Sequence, residues 1–382
     1  MQLRKGKQKK DAAIASTKRG KPGSISRSTP KQVSDEIRIE QGKPKNWDWT
    51  LSVLKRQLKG VPKSGKPNDY KPMLASIVKE PFNDADWLYE IKWDGYRALA
   101  YVGNGKAELR SRNNLSFASK FPTIIKALKE LPFDAVLDGE VVVLNEEGKA
   151  DFGAIQSWHK TPKGHLVYYV FDLLWLEGMN LENEPLWRRK EILRKLIPNG
   201  GPIRFSESIL EYGVDFFKAA KENGLEGIIA KQKNSLYQLG LRTNDWVKIK
   251  AEQQHEAIIC GFTKKRNTDR LFSSLILGIP DGDGLKFIGQ VGTGFTQALQ
   301  RELLAKLKHF QQDYCPFDKK PGIIDKVQWV EPQLLCEVKY TELTKEGVMR
   351  HPSFKGVRED KELKDINLEG EVVQTKKSAK EK

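Results

Sequence analysis

A single lysine stands between two carboxylates in the segment Glu90–Gly95, which reads EIKWDG and continues an apolar run. An amine attacks an electrophile only after it has lost its proton, and an unperturbed lysine has a pKa of about 10.4. Burial and neighbouring cations lower that pKa, so a half-buried lysine beside a phosphate and metal site can act as a nucleophile. We therefore expect Lys92 to be a nucleophile with a lowered pKa.

The K-x-D-G pattern is short, and an isolated match is more often an exposed loop lysine than a catalytic one. Its specificity comes from further motifs that follow it in order. They are Ser111–Asn114 (SRNN), Leu137–Glu140 (LDGE), Phe171–Asp172 (FD), Glu226–Lys231 (EGIIAK), Trp246–Lys250 (WVKIK) and Arg358–Lys361 (REDK). Over roughly residues 70 to 365, this set resembles the covalent nucleotidyltransferases, specifically the ATP-dependent DNA ligases. The strongest likeness is to the ligase module of the bacterial end-joining enzyme ligase D, and it includes Arg350–Gly356 (RHPSFKG).

The resemblance implies a role in nucleotide transfer for most of these residues. Lys92 would take AMP from ATP, with Mg²⁺ or Mn²⁺ beside the phosphates. The residues that it implies contact the nucleotide are Glu90, Arg97, Arg112, Glu140, Phe171, Lys231, Trp246, Lys248 and Lys250. The implied metal-proximal carboxylates are Glu226 and Glu140, and the implied closing motif over the pyrophosphate consists of Arg358, Asp360 and Lys361.

Lys248 and Lys250 are two positions apart in a predicted strand, so their side chains share a face. The family arrangement brings Lys231 nearby, and we expect the three ammonium groups to converge on a triphosphate, since an anion must offset their repulsion. A solvated strand face is the structural alternative for the lysine pair. For Phe171 the alternative is an ordinary core phenylalanine, and for Glu226 it is an ordinary strand-end carboxylate.

Composition favours a polyanionic partner. The chain has 382 residues, with a formal net charge of +16. Between Met1 and Lys31 there are ten Lys or Arg and one Asp, a net +9, so a basic arm is expected to contact nucleic acid. A passive tail is the alternative. No apolar run approaches the roughly 20 residues of a membrane span, and the three dispersed cysteines favour a reduced, cytoplasmic protein.

The pattern of strands and helices predicts an α+β fold in two domains. Residues 1–67 are predicted to be a basic, disordered arm and linker, apart from a possible helix over Asp48–Leu58. Residues 68–250 are predicted to form an adenylation (nucleotidyltransferase) domain with mixed and antiparallel sheets. Residues 251–367 show three strands, a helix and two strands, which favours an all-β oligonucleotide-binding (OB-fold) barrel. A charged tail is predicted for 368–382.

The residues and the resemblance together predict an ATP-dependent DNA ligase that seals 5′-phosphate/3′-hydroxyl breaks in duplex DNA. We expect a monomer that acts in double-strand break repair by non-homologous end joining, with Ku and an end-joining polymerase as possible partners. RNA ligation and messenger RNA capping are the alternative activities, because they use the same nucleophile and pocket. A DNA-binding repair scaffold without activity is the alternative from another class.

Overall fold

The computed structural model describes residues 47–197, 200–264, 270–363 and 366. Most of the predicted arm, residues 1–46, and the predicted tail, residues 368–382, lie outside the described residues. None of the described helices is long and apolar enough to cross a membrane.

The first part of the described chain contains five helices and eleven strands. The helices are α1 (Trp47–Gln57), α2 (Pro122–Lys129), α3 (Phe152–Ser157), α4 (Leu186–Leu196) and α5 (Gly213–Glu222). The strands are β1 (Leu74–Ile77), β2 (Asp84–Ile91), β3 (Tyr96–Gly103), β4 (Lys106–Ser111), β5 (Ala135–Leu144), β6 (His165–Leu176), β7 (Met179–Asn180), β8 (Ile203–Phe205), β9 (Ser208–Glu211), β10 (Gly227–Gln232) and β11 (Arg242–Lys250).

These strands form two sheets that share an apolar cluster. One sheet has the order β4-β3-β5-β6-β7 with β8 beside β6, and the other has the order β1-β11-β10-β2-β9. Leu99, Val136 and Leu174 of the first sheet pack with Leu88 and Trp246 of the second. Most neighbouring strands are antiparallel, whereas β1–β11 and β6–β8 are parallel. The predicted α+β domain with mixed sheets is confirmed.

Two asparagines adopt left-handed backbone angles at turns beside β4. Asn104 and Gly105 connect β3 to β4 with φ angles of 52° and 68°, which are the left-handed values of a two-residue hairpin turn. Asn114 follows β4 with φ of 65°, a conformation that asparagine adopts more readily than most residues. Arg112 lies within this turn, directly after β4.

Helix α1 corrects the predicted boundary of the N-terminal arm. Leu54 and Leu58 are 1% exposed and belong to the main apolar core with Phe133 and Leu176. Lys63 then forms an isolated bridge with Met179 of β7. Residues 47–67 therefore pack against the part of the chain that contains β1–β11, and the expectation of a disordered linker there is wrong. The Leu54–Leu58 spacing is helical, but only the tertiary structure reveals the surface it covers.

The second part of the described chain is mostly β-structure. Its strands are β12 (Gln253–Thr263), β13 (Ser274–Asp281), β14 (Gly284–Val291), β15 (Gln311–Gln312), β16 (Val327–Tyr340), β17 (Glu342–Leu343), β18 (Met349–Arg350) and β19 (Ser353–Val357), and its helix is α6 (Gln297–Lys308). The main sheet has the order β14-β13-β12-β16-β15, and β19 pairs with β16. Thr296 is the N-cap of α6, because its side chain accepts from the N–H of Leu299.

The last two strands predicted within residues 251–367 are one strand, β16. Its pairing with β12 jumps from Leu334 opposite Ile259 to Trp329 opposite Gly261. A bulge of this kind accommodates extra residues without ending a strand. Pro332 lies in the skipped segment, where it removes no ladder hydrogen bond. The continuous strand keeps Glu337 opposite Glu256 on β12.

Candidate active site

Strand pairing brings Lys92 and Glu226 together. Lys92 follows the last residue of β2, and its N–H donates to the carbonyl of Gly227 over 3.0 Å. Glu226 directly precedes β10, which pairs with β2. The Lys92 Nζ forms an ion pair with Glu226, whose side chain is only 4% exposed. A strand end and the neighbouring strand start therefore place an amine against a buried carboxylate.

The pKa of Lys92 is raised above its usual value in this structure. Burial lowers it, but attraction and hydrogen bonding to Glu226 raise it by more. The prediction of a lowered pKa is therefore wrong for this arrangement. Motif reading identified the cations near Lys92 but not a carboxylate in direct contact with it.

An apolar chamber of about 110 Å³ opens on one side of Lys92. Phe171, Ile229 and Trp246 supply apolar walls, and Glu90 and Lys231 are among its polar groups. Trp246 is 2% exposed, and its indole Nε1 has no hydrogen-bond partner among the described residues. Apolar walls with a few fixed polar groups suit a nucleobase, which is flat and aromatic and has polar edges. We call this space the base chamber.

Two lysines hold Glu90 at the inner end of the base chamber. Its Oε1 accepts from Lys190 over 2.7 Å, and its Oε2 accepts from Lys231 over 3.0 Å. The Lys231 Nζ lies 4.1 Å from the ring centroid of Phe171 and 4.2 Å from that of Trp246. Burial lowers the pKa of Lys231 to about 8, with repulsion from Lys190 adding to the decrease and attraction to Glu90 opposing it. Both ends of the carboxylate are thus fixed.

Arg97 lies between the base chamber and the space on the other side of Lys92. Its guanidinium binds Asp138 through two hydrogen bonds of 3.0 and 2.6 Å. The hydroxyl of Tyr237 donates to the same carboxylate over 2.6 Å. Because Asp138 is fully buried, this paired geometry is what makes its charge tolerable.

A charged chamber of about 150 Å³ opens on the other side of Lys92. Eight Lys or Arg residues and six Asp or Glu residues line it, so its walls carry an excess of two positive charges. The cations are Lys92, Arg97, Arg112, Arg242, Lys248, Lys250, Arg358 and Lys361, and the acids are Asp94, Glu140, Glu226, Glu256, Glu337 and Asp360. The excess of positive charge favours a polyphosphate. Ala75, Lys92, Trp93, Arg97, Glu140 and Ile229 line both chambers.

The motif that follows the barrel reaches into the charged chamber. Arg358 binds Asp360 through hydrogen bonds of 2.9 and 2.7 Å and Glu337 through one of 2.8 Å. Lys361 forms an ion pair with Glu256. Although burial alone would raise it, Arg358 first and Lys250 second hold the pKa of Glu337 at about 2. The barrel acids thus fix the cations of the motif over Lys92.

The carboxyl of Glu140 has a different environment. Burial raises its pKa to about 8, and the nearby Lys92, Arg97 and Arg358 offset that effect only in part. Burial, followed by repulsion from Glu226, likewise raises the pKa of Asp94. A further cation in the chamber would stabilise the ionised form of these two carboxyls and lower their pKa. The base chamber and the charged chamber meet at the amine of Lys92. Nucleotidyl transfer to a lysine requires this arrangement.

Comparison with known proteins agrees with this chemistry. Residues 72–250 match the family model described as the ATP dependent DNA ligase domain, and residues 268–361 match the ATP dependent DNA ligase C terminal region. The SPbeta prophage-derived DNA ligase-like protein LigB of Bacillus subtilis is 32% identical over 289 residues, which cover 75% of this chain and 98% of LigB. The chain belongs to the ATP-dependent DNA ligase family.

Larger ligases are also similar to this chain. The multifunctional non-homologous end joining protein LigD of Pseudomonas aeruginosa is 36% identical over 323 residues, which cover 82% of this chain and 38% of LigD. The chain thus spans about two fifths of that relative's length. A solved structure of mycobacterial DNA ligase D complexed with ATP and MES superimposes with a TM-score of 0.62 at 32% identity, covering 78% of this chain and 97% of the other. The predicted pairing of a nucleotidyltransferase domain with an OB-fold domain is confirmed.

The ligase fold brings the predicted site residues together in two groups. The base chamber is lined by Glu90, Phe171, Lys231 and Trp246. The charged chamber is lined by Arg112, Glu226, Lys248, Lys250, Arg358, Asp360 and Lys361. Lys92, Arg97 and Glu140 line both chambers. Their roles in catalysis stay predictions.

The expected convergence of three lysines does not occur. Lys231 lies opposite Trp246 in the β10–β11 pairing, and Lys248 lies opposite Ile229. Lys231 turns to Glu90 in the base chamber, whereas Lys248 and Lys250 line the charged chamber. Lys231 forms an ion pair with the buried Glu90 instead, and the motif alone does not predict this pair.

Sequence reasoning missed several residues of this ligase site. Lys190 carries a weak signal, because it lies at helical spacing from the apolar residues Leu186 and Leu193. Glu256 and Glu337 carry a similarly weak signal, because each is a charged residue next to the apolar residues of a strand. Tyr237 and Arg242 have no comparable signal, because they lie outside regular motifs and contact the site only through the fold.

The donor set of the charged chamber fits a divalent cation. Within the described ranges no three His, Cys, Asp or Glu side chains form an all-protein metal cage. Mg²⁺ needs only one or two carboxylates when phosphates and water complete its shell. Glu226 and Glu140 supply such oxygens, and the raised pKa of Glu140, due to burial, is lowered again by an added cation. These two residues would hold the ion.

Proposed function

We propose that this chain is a DNA ligase that uses ATP to seal 5′-phosphate/3′-hydroxyl breaks in duplex DNA. The observation that carries the proposal is the meeting of the base chamber and the charged chamber at the amine of Lys92. We further propose that residues 47–250 act as the adenylation domain and residues 251–367 as the barrel domain. Family membership supports both statements.

In the first step, the Lys92 Nζ attacks the α-phosphorus of ATP. The Lys92 ammonium first releases one proton to water; the P–N bond then forms as the bond to the pyrophosphate oxygen breaks, and the nitrogen releases a second proton to water. The base chamber holds the adenine, while Lys248 and Lys250 face the phosphates from β11. Arg358 and Lys361 face the same space from beyond the barrel, where they can orient the leaving pyrophosphate. Fixed cations around the phosphates stabilise charge as it develops.

In the second step, an oxygen of a DNA 5′-phosphate attacks the same phosphorus and displaces Lys92, which takes up a proton. In the third, the 3′-hydroxyl attacks the 5′-phosphate, joins the strands and releases AMP. A divalent cation bound by Glu226 and Glu140 would supply positive charge at the phosphates and weaken the hold of Glu226 on the Lys92 proton.

The first step is tested with α-³²P-ATP, after removal of any bound AMP with pyrophosphate. Wild-type protein should retain label after denaturation, whereas Lys92→Ala should retain less than about one-thousandth of it. Lys92→Arg is the matched variant, because a guanidinium can keep the ion pair with Glu226 but is not a nucleophile at neutral pH. It should bind ATP without becoming labelled. Label on Lys92→Ala would contradict the proposal.

The substrate is tested with nicked duplexes. Sealing of a 5′-phosphorylated DNA nick, with weaker sealing of the same nick in RNA, is the expected result. Labelling by GTP in place of ATP would indicate a capping-type enzyme. A wild-type protein that binds nicked DNA but never acquires label would be a repair scaffold.

We also propose that the ligase acts in non-homologous end joining, in concert with Ku and an end-joining polymerase. The support is the similarity to LigD of Pseudomonas aeruginosa, whose name gives that process. Joining of linear DNA with cohesive ends should rise at least about tenfold when a bacterial Ku is added, as expected for a moderate linkage free energy. An unchanged joining rate and the absence of Ku in a pull-down would contradict this part of the proposal.

A further inference from the structure

Lys190 does not line the base chamber, but it binds Glu90, which does. Lys190, on α4, donates to the Oε1 of Glu90 over 2.7 Å and to the carbonyl of Ser206 over 3.1 Å. Its side chain is 6% exposed, and its Nζ lies 4.7 Å from the ring centroid of Phe205. Burying a lysine is costly, so a lysine with two fixed partners at this depth calls for an explanation beyond packing.

Glu90 and Lys231 could recognise either purine. A carboxylate has about four acceptor positions and an ammonium has three donors, so both groups keep hydrogen-bonding capacity after pairing with each other. The 6-amino group and N1 of adenine need an acceptor and a donor, in that order. The O6 and N1–H of guanine need a donor and an acceptor. The same two side chains would match guanine if they exchanged positions.

Lys190 restricts that exchange. Its ammonium donates to one Glu90 oxygen and is itself anchored by the Ser206 carbonyl, so the carboxylate cannot rotate freely. Lys231 binds the other oxygen and lies between the rings of Phe171 and Trp246. Lys190 therefore fixes the positions of the acceptor, Glu90, and the donor, Lys231, although it does not line the chamber itself.

We propose that Lys190 is a positioning residue that fixes Glu90 for recognition of a 6-aminopurine and against a 6-oxopurine. The inference rests on the proposed function for the identity of the ligand class. Lys190 acts through Glu90 and does not contact the nucleotide.

A pH effect follows from the charges that face Lys231. They are Glu90 on β2, Lys190 on α4 and Asp172 on β6. Burial and repulsion from Lys190 bring the pKa of Lys231 to about 8, so its charge is lost as the pH rises through that value. Removing the charge of Lys190 ends the repulsion, and the loss of Lys231 charge then moves to higher pH.

The test is equilibrium binding of AMP and GMP, which does not depend on transfer to Lys92. Lys190→Met removes the charge and both hydrogen bonds, while Lys195→Met is a matched control on the exposed face of the same helix, where Lys195 pairs with Glu191. The preference for AMP over GMP should fall about tenfold or more in Lys190→Met, the value of one charge-assisted hydrogen bond. Lys195→Met should leave it unchanged.

Two further measurements separate positioning from a general loss of structure. Lys190→Arg keeps the charge and should retain most of the preference for AMP. If Lys190→Met does not fold, Lys190→Gln replaces it as the neutral variant and is compared with Lys190→Arg. The fall of AMP affinity with rising pH should shift upward in the neutral variants. An unchanged AMP preference together with an unmoved pH profile would overturn the inference. If the wild type binds AMP selectively yet never becomes labelled, the proposed function fails while this inference stands.

Discussion

The charges of this site are stabilised by individual partners, and Asp138 illustrates how specific these are. It is fully buried and receives two hydrogen bonds from Arg97 and one from Tyr237. The motif LDGE predicts a buried carboxylate, but the arginine is 41 positions away and the tyrosine 99 positions away in the sequence. Residue types could be predicted from the sequence, because each chemical task requires particular groups. Partners could not, because they depend on strand register.

Replacing Asp138 by Asn should therefore destabilise the protein strongly. Breaking a buried ion pair leaves an uncompensated charge, here on Arg97, and costs about 3–5 kcal/mol. The free energy of unfolding in urea measures this. Glu108→Gln is the matched control, because Glu108 pairs with Arg110 but is 61% exposed, and an exposed pair is worth about 0–1 kcal/mol. Equal effects of the two substitutions would contradict the assigned burial of the Arg97–Asp138 pair.

At the scale of elements, the long strands are well predicted and the short ones are not. Apolar runs predict β5 and β6, because each buries almost every residue. Strands β1, β8 and β9 have only three or four residues each, and pairing with neighbours, rather than composition, makes them strands. Helix α1 was expected only as a possible helix within a linker. Its contribution becomes apparent when Leu54 and Leu58 are found inside the core.

Helix α1 should thus be required for the stability of the adenylation domain. Leu54→Ala removes a side chain that is 1% exposed, and such truncations cost about 2–5 kcal/mol. Lys55→Ala, in the same turn, removes only a half-exposed partner of Glu177 and should change stability by less than about 1 kcal/mol. Chemical denaturation of both variants gives the comparison. A Leu54→Ala protein as stable as Lys55→Ala would restore the arm boundary near residue 67.

At the scale of the whole molecule, charge distribution could be predicted, whereas the arrangement of the two domains could not. The sequence predicts a closing motif, yet contacts across the chain decide where it lies. In the structure Gln156 of α3 donates to the carbonyl of Val357 over 2.6 Å, and Arg358 lies 5.2 Å from the ring centroid of Phe152. These contacts join the barrel end to the adenylation domain. No local sequence pattern specifies them.

The basic arm gives a prediction for the intact chain, although residues 1–31 lie outside the described ranges. If the arm contacts DNA phosphates, its deletion should weaken binding to duplex DNA and make the dependence of affinity on salt less steep. Each lost contact changes the slope of log K against log salt by about 0.9. Fluorescence anisotropy at several salt concentrations measures the slope. An identical slope after deletion would identify a passive tail.

Closure of the two domains should be sensitive to salt, because exposed ion pairs contribute to it. Glu359 binds Lys120 of the adenylation domain over 3.2 Å and Lys306 of α6 over 2.6 Å, and Lys160 binds Glu302 over 3.0 Å. The two acids are 44% and 38% exposed, so each pair contributes about 0–1 kcal/mol and weakens as salt screens it. Added salt should therefore weaken this part of the contact between the two domains.

Glu359→Gln should shift this balance toward the open form. It removes one charge that bridges the two domains, so the radius of gyration from small-angle X-ray scattering should rise at a lower salt concentration than in the wild type. Glu342→Gln is the control, because Glu342 forms an exposed pair with Arg350 that lies entirely within the barrel domain and does not reach the adenylation domain. Its scattering profile should follow that of the wild type. If both variants open at the same salt concentration as the wild type, buried contacts such as Gln156–Val357 hold the domains together, and the ion pairs do not control closure.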